Sequence, residues 1–272
     1  MGDTATLEAE TDAGLVAMGE VPDDVWLDVA SGARFVARHP ASTRETVFLG
    51  PARVRACVDH AEESWLLRGG FDSVPGAGER PGGEEWVITP VASIRYAAVA
   101  MRVSVSDEET DVQVAKGTVY MWAAGDAAMR ITSEAGSPLA ADGGPSREND
   151  EGWARVDGGF HVKIRAGRPT TGAAREGAAN AALAQCRPAA KVAHDLADQI
   201  AAPDASLATL APKHVSARRE ARAACRVALL RIESLAPSAT RDSDLAAARA
   251  AEQSWRSLSD TSTEGPQVSP MP

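Results

Sequence analysis

Between residues 21 and 165 apolar positions come in short bursts that stop at glycine, proline or charge. Val25-Trp26-Leu27-Asp28-Val29 ends at Ser31-Gly32, Arg34-Phe35-Val36-Ala37 at His39-Pro40, and Glu45-Thr46-Val47-Phe48-Leu49 at Gly50-Pro51. Residues 54–58, 64–67, 71–74 and 85–89 continue the series. Each burst is too short for a helix and rich in β-branched or aromatic side chains, which predicts strands. Many short strands at near-regular spacing predict a β-sandwich, roll or solenoid. The clearest pair covers residues 99–106 and 111–122, joined by the polar turn Asp107-Glu108-Glu109-Thr110. Val99, Met101, Val103 and Val105 share one face by the period of two, in a strand expected to lie centrally against residues 112–119. Val112, Val114, Val119 and Met121 alternate along the second strand, where Lys116-Gly117 marks a turn or bulge. A further hairpin is expected over 153–156 and 160–164, around Asp157-Gly158-Gly159. Residues 1–20 read as a loose acidic leader and 133–152 as an exposed loop.

After Pro169-Thr170-Thr171-Gly172 the period changes. Leu183, Cys186, Ala190, Ala193, Ala197 and Ile200 step by three and four, and so do Ala221, Cys225, Ala228, Ile232 and Leu235. The connector at 203–212 carries Pro203 and Pro212, which should break the helix. A third amphipathic stretch, 242–258, places Leu245, Ala248, Trp255 and Leu258 on one side. The tail from residue 259 is polar and Pro-rich and is expected to be disordered. The chain is thus expected to be mainly β, with a domain at 21–165 and an alanine-rich helical hairpin plus third helix at 173–258. Cys186 and Cys225 each sit on the apolar seam of their helix, and their midpoint falls at 205–206, inside the connector. In an antiparallel hairpin they face each other, and alanine faces allow the close approach that a disulfide requires. The alternative is two buried thiols packed as small hydrophobes. A bridge would point to an oxidising compartment, and Cys57 is expected to stay free.

Charge divides where the periodicity does. Residues 1–160 hold 13 basic and 27 acidic side chains, a balance of −14, and the remainder carries +4. An acidic first half excludes a phosphate-binding groove there, so no nucleic acid is expected. No apolar run is long enough to span a membrane. Met1-Gly2-Asp3-Thr4 lacks the layout of a signal peptide, so the chain is either cytoplasmic or an extracytoplasmic protein whose leader has been removed.

Trp86-Val87-Ile88-Thr89-Pro90, then Ile94-Arg95-Tyr96 and Met101-Arg102-Val103-Ser104-Val105, resemble the apolar-Val-x-Thr-Pro segment and following strand of the FecR domain family. Val112-Gln113-Val114-Ala115-Lys116-Gly117-Thr118-Val119 is similar to that family's closing V-x-V-x-x-G-x-V hairpin. The resemblance covers about residues 25–122 and departs at Ala98-Val99, where the family places Gly-Thr, and at Met101, which stands for an aromatic. It implies an extracytoplasmic β domain used for sensing, partner binding or envelope scaffolding. Thr89, Pro90, Met101, Val103, Val112, Val114, Gly117 and Val119 are its structural motif residues.

Little in the chain speaks for catalysis. His39, His60, His161, His194 and His214 form no metal-ligand spacing, His194-Asp195 has no second half, and no metal or cofactor is expected. The glycine-rich run 76–83 lacks the Lys-Ser or Lys-Thr and the helix of a phosphate loop. Adjacent carboxylates at 62–63, 84–85, 107–109 and 148–151 read as solvated turns rather than a glycosidase pair or a calcium loop. Arg218, Arg219, Arg222 and Arg226 form a helical stripe that suits either solvent or an acidic partner. The tryptophans at 26, 65, 86, 122 and 153 lie mostly in expected strands, where core packing competes with a sugar-stacking surface. The leading expectation is a non-enzymatic envelope protein that binds another envelope protein or itself. A carbohydrate- or peptidoglycan-binding module with exposed tryptophans is the alternative.

Overall fold

The structure is a computed structural model and describes residues 5–11, 14–21, 25–38, 45–56, 63–74, 84–97, 99–133, 152–167, 172–202 and 206–256. The chain forms two compact units, Met1–Arg175 and Glu176–Pro272. The first is all β in its strand-forming part and the second is helical.

Two long strands organise the β unit. β5 (Glu45–Arg55) and β6 (Glu63–Val74) pair antiparallel, with register shifts between Leu49 and Val54. Gly50-Pro51, expected to end a strand, lies inside β5, so residues 45–49 and the start of 54–58 belong to one element. The strand runs on with its pairing register shifted there instead of ending. Opposite that shift Gly69 has φ +107°, and a Cβ on it would lie 2.4 Å from that of Ala52. Only glycine admits this approach. β6 in turn has two partners along its length: its first half pairs in parallel with β7 (Glu85–Ile88), its second antiparallel with β9 (Ala100–Val105).

From β9 one layer continues through β10 (Glu109–Lys116) and β14 (Phe160–Ala166) to β12 (Ala127–Ser133). From β7 a second layer continues through β8 (Ala92–Tyr96) and β11 (Thr118–Ala123) to β13 (Trp153–Asp157). Gly117, at φ +96°, is the corner where the chain leaves β10 for β11. Val119 therefore pairs with Tyr96 of β8 and not with the 99–106 strand, whose partners are Val112 and Val114. Residues 153–164 form a second corner: β13 pairs with β11 while β14 pairs with β10 and β12, so the expected hairpin is two strands in different layers. The Gly158 N–H, donating to the Gly117 carbonyl at 2.9 Å, ties the two corners together.

The inner faces of both layers close one core. Phe71, Met101, Val103, Val112, Val114, Val162 and Ile164 come from the first layer, and Val87, Ile94, Tyr96, Val119, Met121 and Val156 from the second. On the far side of β5 lie β3 (Leu27–Val29) and β4 (Arg34–Arg38). Residues 5–21 are not a loose leader: β1 (Ala5–Thr11) and β2 (Gly14–Val21) form a hairpin, and β1 pairs with β4. Their acidic, weakly apolar sequence hides a strand that an existing sheet edge recruits.

In the helical unit α1 (Gly172–Ala201), α2 (Leu207–Glu233) and α3 (Ala239–Arg256) follow the three expected stretches. Cys186, Ala190 and Ala193 pack on Ala217, Ala221, Cys225 and Ala228, with Trp255 against the same cluster. The Arg231 guanidinium donates to the Ala178 carbonyl at 2.9 Å, as an antiparallel α1–α2 pair requires. Pro212 does not break the helix, because it sits within the second turn of α2 and the carbonyl that loses its donor belongs to exposed Ala208. No helix among the described residues is long and apolar enough to cross a membrane.

Candidate functional site

Residues 127–133, Ala-Ala-Met-Arg-Ile-Thr-Ser, alternate small or apolar with polar side chains and form β12. The strand pairs with β14 over seven residues in unbroken register and has no second partner among the described residues. β13 likewise pairs with β11 alone. Among the described residues each layer therefore ends in an edge strand with a single partner, and both edges line one cavity. Ala127, Met129 and Ile131, at the period of two, turn toward the core but stay only half-buried. Between the edges lies a cavity of about 380 Å³, lined chiefly by Ala123, Ala127, Met129, Ile131, Trp153 and Ala154. That size suits a small apolar ligand or a few side chains of a partner. Among the described residues the lining carries no titratable side chain.

Charge lines the outer face beside this groove. Arg130 of β12 is exposed and stands opposite Lys163 of β14, which in turn stands opposite Asp111 of β10. Lys163 lies 3.2 Å from Asp111, His161 contacts the same carboxylate, and the Arg165 guanidinium donates to Glu109 at 2.8 Å. The hydrogen bond from Arg165 holds the Glu109 carboxyl below its usual range, against a smaller opposing effect of desolvation. Hydrogen bonding to Asp111 raises Lys163. Arg130 has no carboxylate partner among the described residues.

The motif residues of the FecR resemblance lie elsewhere and hold the layers together. Thr89 closes the turn between β7 and β8: its Oγ1 accepts the Ala92 N–H at 3.0 Å and the Thr110 hydroxyl at 2.7 Å. Pro90 is buried beside it, Met101, Val103, Val112, Val114 and Val119 fill the core, and Gly117 makes the corner. Cys186 and Cys225 form a disulfide with Cα atoms 4.5 Å apart. The arginine stripe does not stand as one face. Arg218, Arg219 and Arg222 are half-buried, whereas Arg226 is 3% exposed and paired with Glu252 of α3 at 2.8 Å. Packing of α3 on α2 turns that position inward, which the spacing along α2 alone does not show. Burial and neighbouring Arg222 lower the Arg218 pKa, and burial and Arg218 lower that of His214.

The tryptophans do not form a sugar platform. Trp65, Trp86, Trp122, Trp153 and Trp255 are buried and Trp26 is half-buried. Trp86 and Trp153 pack edge to face at 5.5 Å, and the Arg95 guanidinium lies 4.2 Å from the Tyr120 ring centre. Among the acidic groups, Glu84 pairs with Arg95 and Glu85 is buried. Cys57, His39, His60, Leu258, residues 76–83 and residues 148–151 lie outside the described residues. Among those described, no cluster of His, Cys, Asp and Glu is grouped to hold a metal. The β12 groove escaped the sequence reading, although Met129 and Ile131 alternating with Arg130 and Thr132 carried its signal. No protein-family model and no curated protein matches this chain.

Proposed function

We propose that this chain is a non-enzymatic envelope protein whose FecR-like β unit binds a partner protein in the groove between β12 and β13. The observation that carries the reading is the cavity of about 380 Å³ between two sheet edges that no further described strand pairs, with Met129 and Ile131 half-covered on its wall. The described lining, with Met129, Ile131 and Trp153 and without acid, base or nucleophile, favours recognition. The Cys186–Cys225 bridge supports an oxidising, extracytoplasmic location. The helical unit, with Arg218, Arg219 and Arg222 half-exposed, serves as the assembly or docking element.

The test is co-purification of the full chain from the envelope of cells that produce it. A partner should be retained by the wild type and by Gln113→Glu, on the exposed face of β10, and lost with Met129→Glu. Equal retention by both variants would remove the groove from the function.

A further inference from the structure

We infer that the partner enters as an extended segment that adds a strand along residues 127–132 of β12, on the edge that no other described strand pairs, with apolar residues directed into the groove and acidic residues on the outer face. The inference rests on the partner-binding reading above and names the chemistry of the partner.

Three features of β12 converge on this mode. The first is its backbone. A sheet edge presents a row of N–H and C=O groups, and proteins that must keep such an edge free use proline, bulges or inward-pointing charge. β12 has no proline, its pairing with β14 runs from Ala127 to Ser133 without a register shift, and its inward positions are Ala127, Met129 and Ile131. Among the described residues no proline, bulge or inward-pointing charge guards this edge, and its one charged side chain is the exposed Arg130. The second is the side-chain pattern. An added strand sends alternate residues to the inner side, where they would cover Met129 and Ile131 and fill the cavity, as in strand-addition recognition.

The third is charge. From the edge inward the cross-strand row reads Arg130, Lys163, Asp111. Lys163 already shares Asp111, so among the described residues the outermost Arg130 is the cation of this row that stands without a carboxylate. An acidic residue set opposite it gains a favourable cross-strand pair, and a basic one meets two cations in line. The same row disfavours a second copy of this chain. The antiparallel register that overlaps all of residues 127–133 centres on residue 130 and sets Arg130 against Arg130. The occupant is therefore a segment of a different protein that alternates apolar and acidic residues.

Fluorescein-labelled peptides added to the full chain, read by anisotropy, test this. One alternates valine with glutamate, one alternates valine with lysine, and one has the first peptide's composition with valines and glutamates in separate blocks. The alternating acidic peptide should bind at least about tenfold more tightly than either of the others. Arg130→Glu, an exposed change that leaves the core intact, should reverse the preference between glutamate and lysine. Amide exchange over residues 127–133 should slow when the acidic peptide is bound. Equal binding of the glutamate and lysine peptides, indifference to blocking, or unchanged exchange at 127–133 would overturn strand addition. Self-association of the wild-type chain that Met129→Glu abolishes would name a second copy as the occupant and overturn it too. Loss of the co-purified partner in Met129→Glu, together with any of these results, would leave the groove reading standing and the strand-addition inference refuted.

Discussion

Val103 is the position where the two-layer account of the β unit is most exposed to test. It is 0% exposed, opposite Val112 on one side and Phe71 on the other, in the middle of the core that both layers share. Val103→Asp removes an isopropyl group whose burial is worth about 1.5–3 kcal/mol. It also forces a carboxyl into a site with no hydrogen-bond partner, at about 2–7 kcal/mol. A total on the order of 5 kcal/mol follows, and at about 2–4 °C per kcal/mol for a unit of this size the melting temperature should fall by about 10–20 °C. Tryptophan fluorescence reads the β unit through Trp65, Trp86, Trp122 and Trp153, which are all buried there. Far-UV circular dichroism would follow both units. The adjacent Ser104 is exposed and faces Asp111 across the pair, so Ser104→Lys should stay within about 0.5 kcal/mol of wild type. If Val103→Asp melts within a degree or two of wild type, or Ser104→Lys is as damaging, the assigned faces of β9 are wrong.

Three further outcomes follow from the same contacts. Replacing both Cys186 and Cys225 by serine opens a sequence separation of 39 residues and should cost the helical unit about 4 kcal/mol by the loop-entropy estimate; an unchanged helical melting curve at 222 nm would argue against it. Glu252→Leu leaves the buried Arg226 guanidinium without its 2.8 Å carboxylate and should destabilise the helical unit by about 3 kcal/mol, measured by urea unfolding. Acid should weaken both units. The depressed pKa of Glu109 adds stability that is complete above the usual carboxylate range and disappears as pH falls through its folded value, so Glu109→Gln should flatten the decline of the β unit at the acid end. The depressed pKa of His214 acts in the same direction at higher pH, with its contribution complete above ~6.5 and lost below, so His214→Gln should flatten the decline of the helical unit there.

What could be read from the chain depended on whether the signal was local. The 100–116 hairpin was legible because Met101, Val103, Val112 and Val114 alternate within a few residues of a polar turn, and Ser106 closes that turn through its hydroxyl, which accepts the Glu109 N–H at 3.1 Å. The disulfide was legible because two seam positions and a connector midpoint agree without any tertiary information. The corners at Gly117 and Gly158 were not. A glycine between two alternating runs looks the same whether the chain folds back on its neighbour or crosses to another layer, and the choice rests with partners far away in sequence. β1 and β12 were missed for a related reason: each is a modest alternation that an existing edge completes. Arg226 looked like surface because its burial comes from α3, whose Glu252 lies 26 residues further on and gives α2 itself no sign.

The central claim, that a partner occupies the groove between β12 and β13, is tested most directly by a photo-crosslinking residue at position 129 of the full chain in producing cells. The same residue at position 113, on the exposed face of β10, is the comparison. The account predicts one discrete protein adduct from position 129, whose crosslinked peptide is extended and alternates apolar with acidic residues, and none from position 113. No adduct from position 129, or the same adducts from both positions, would contradict it.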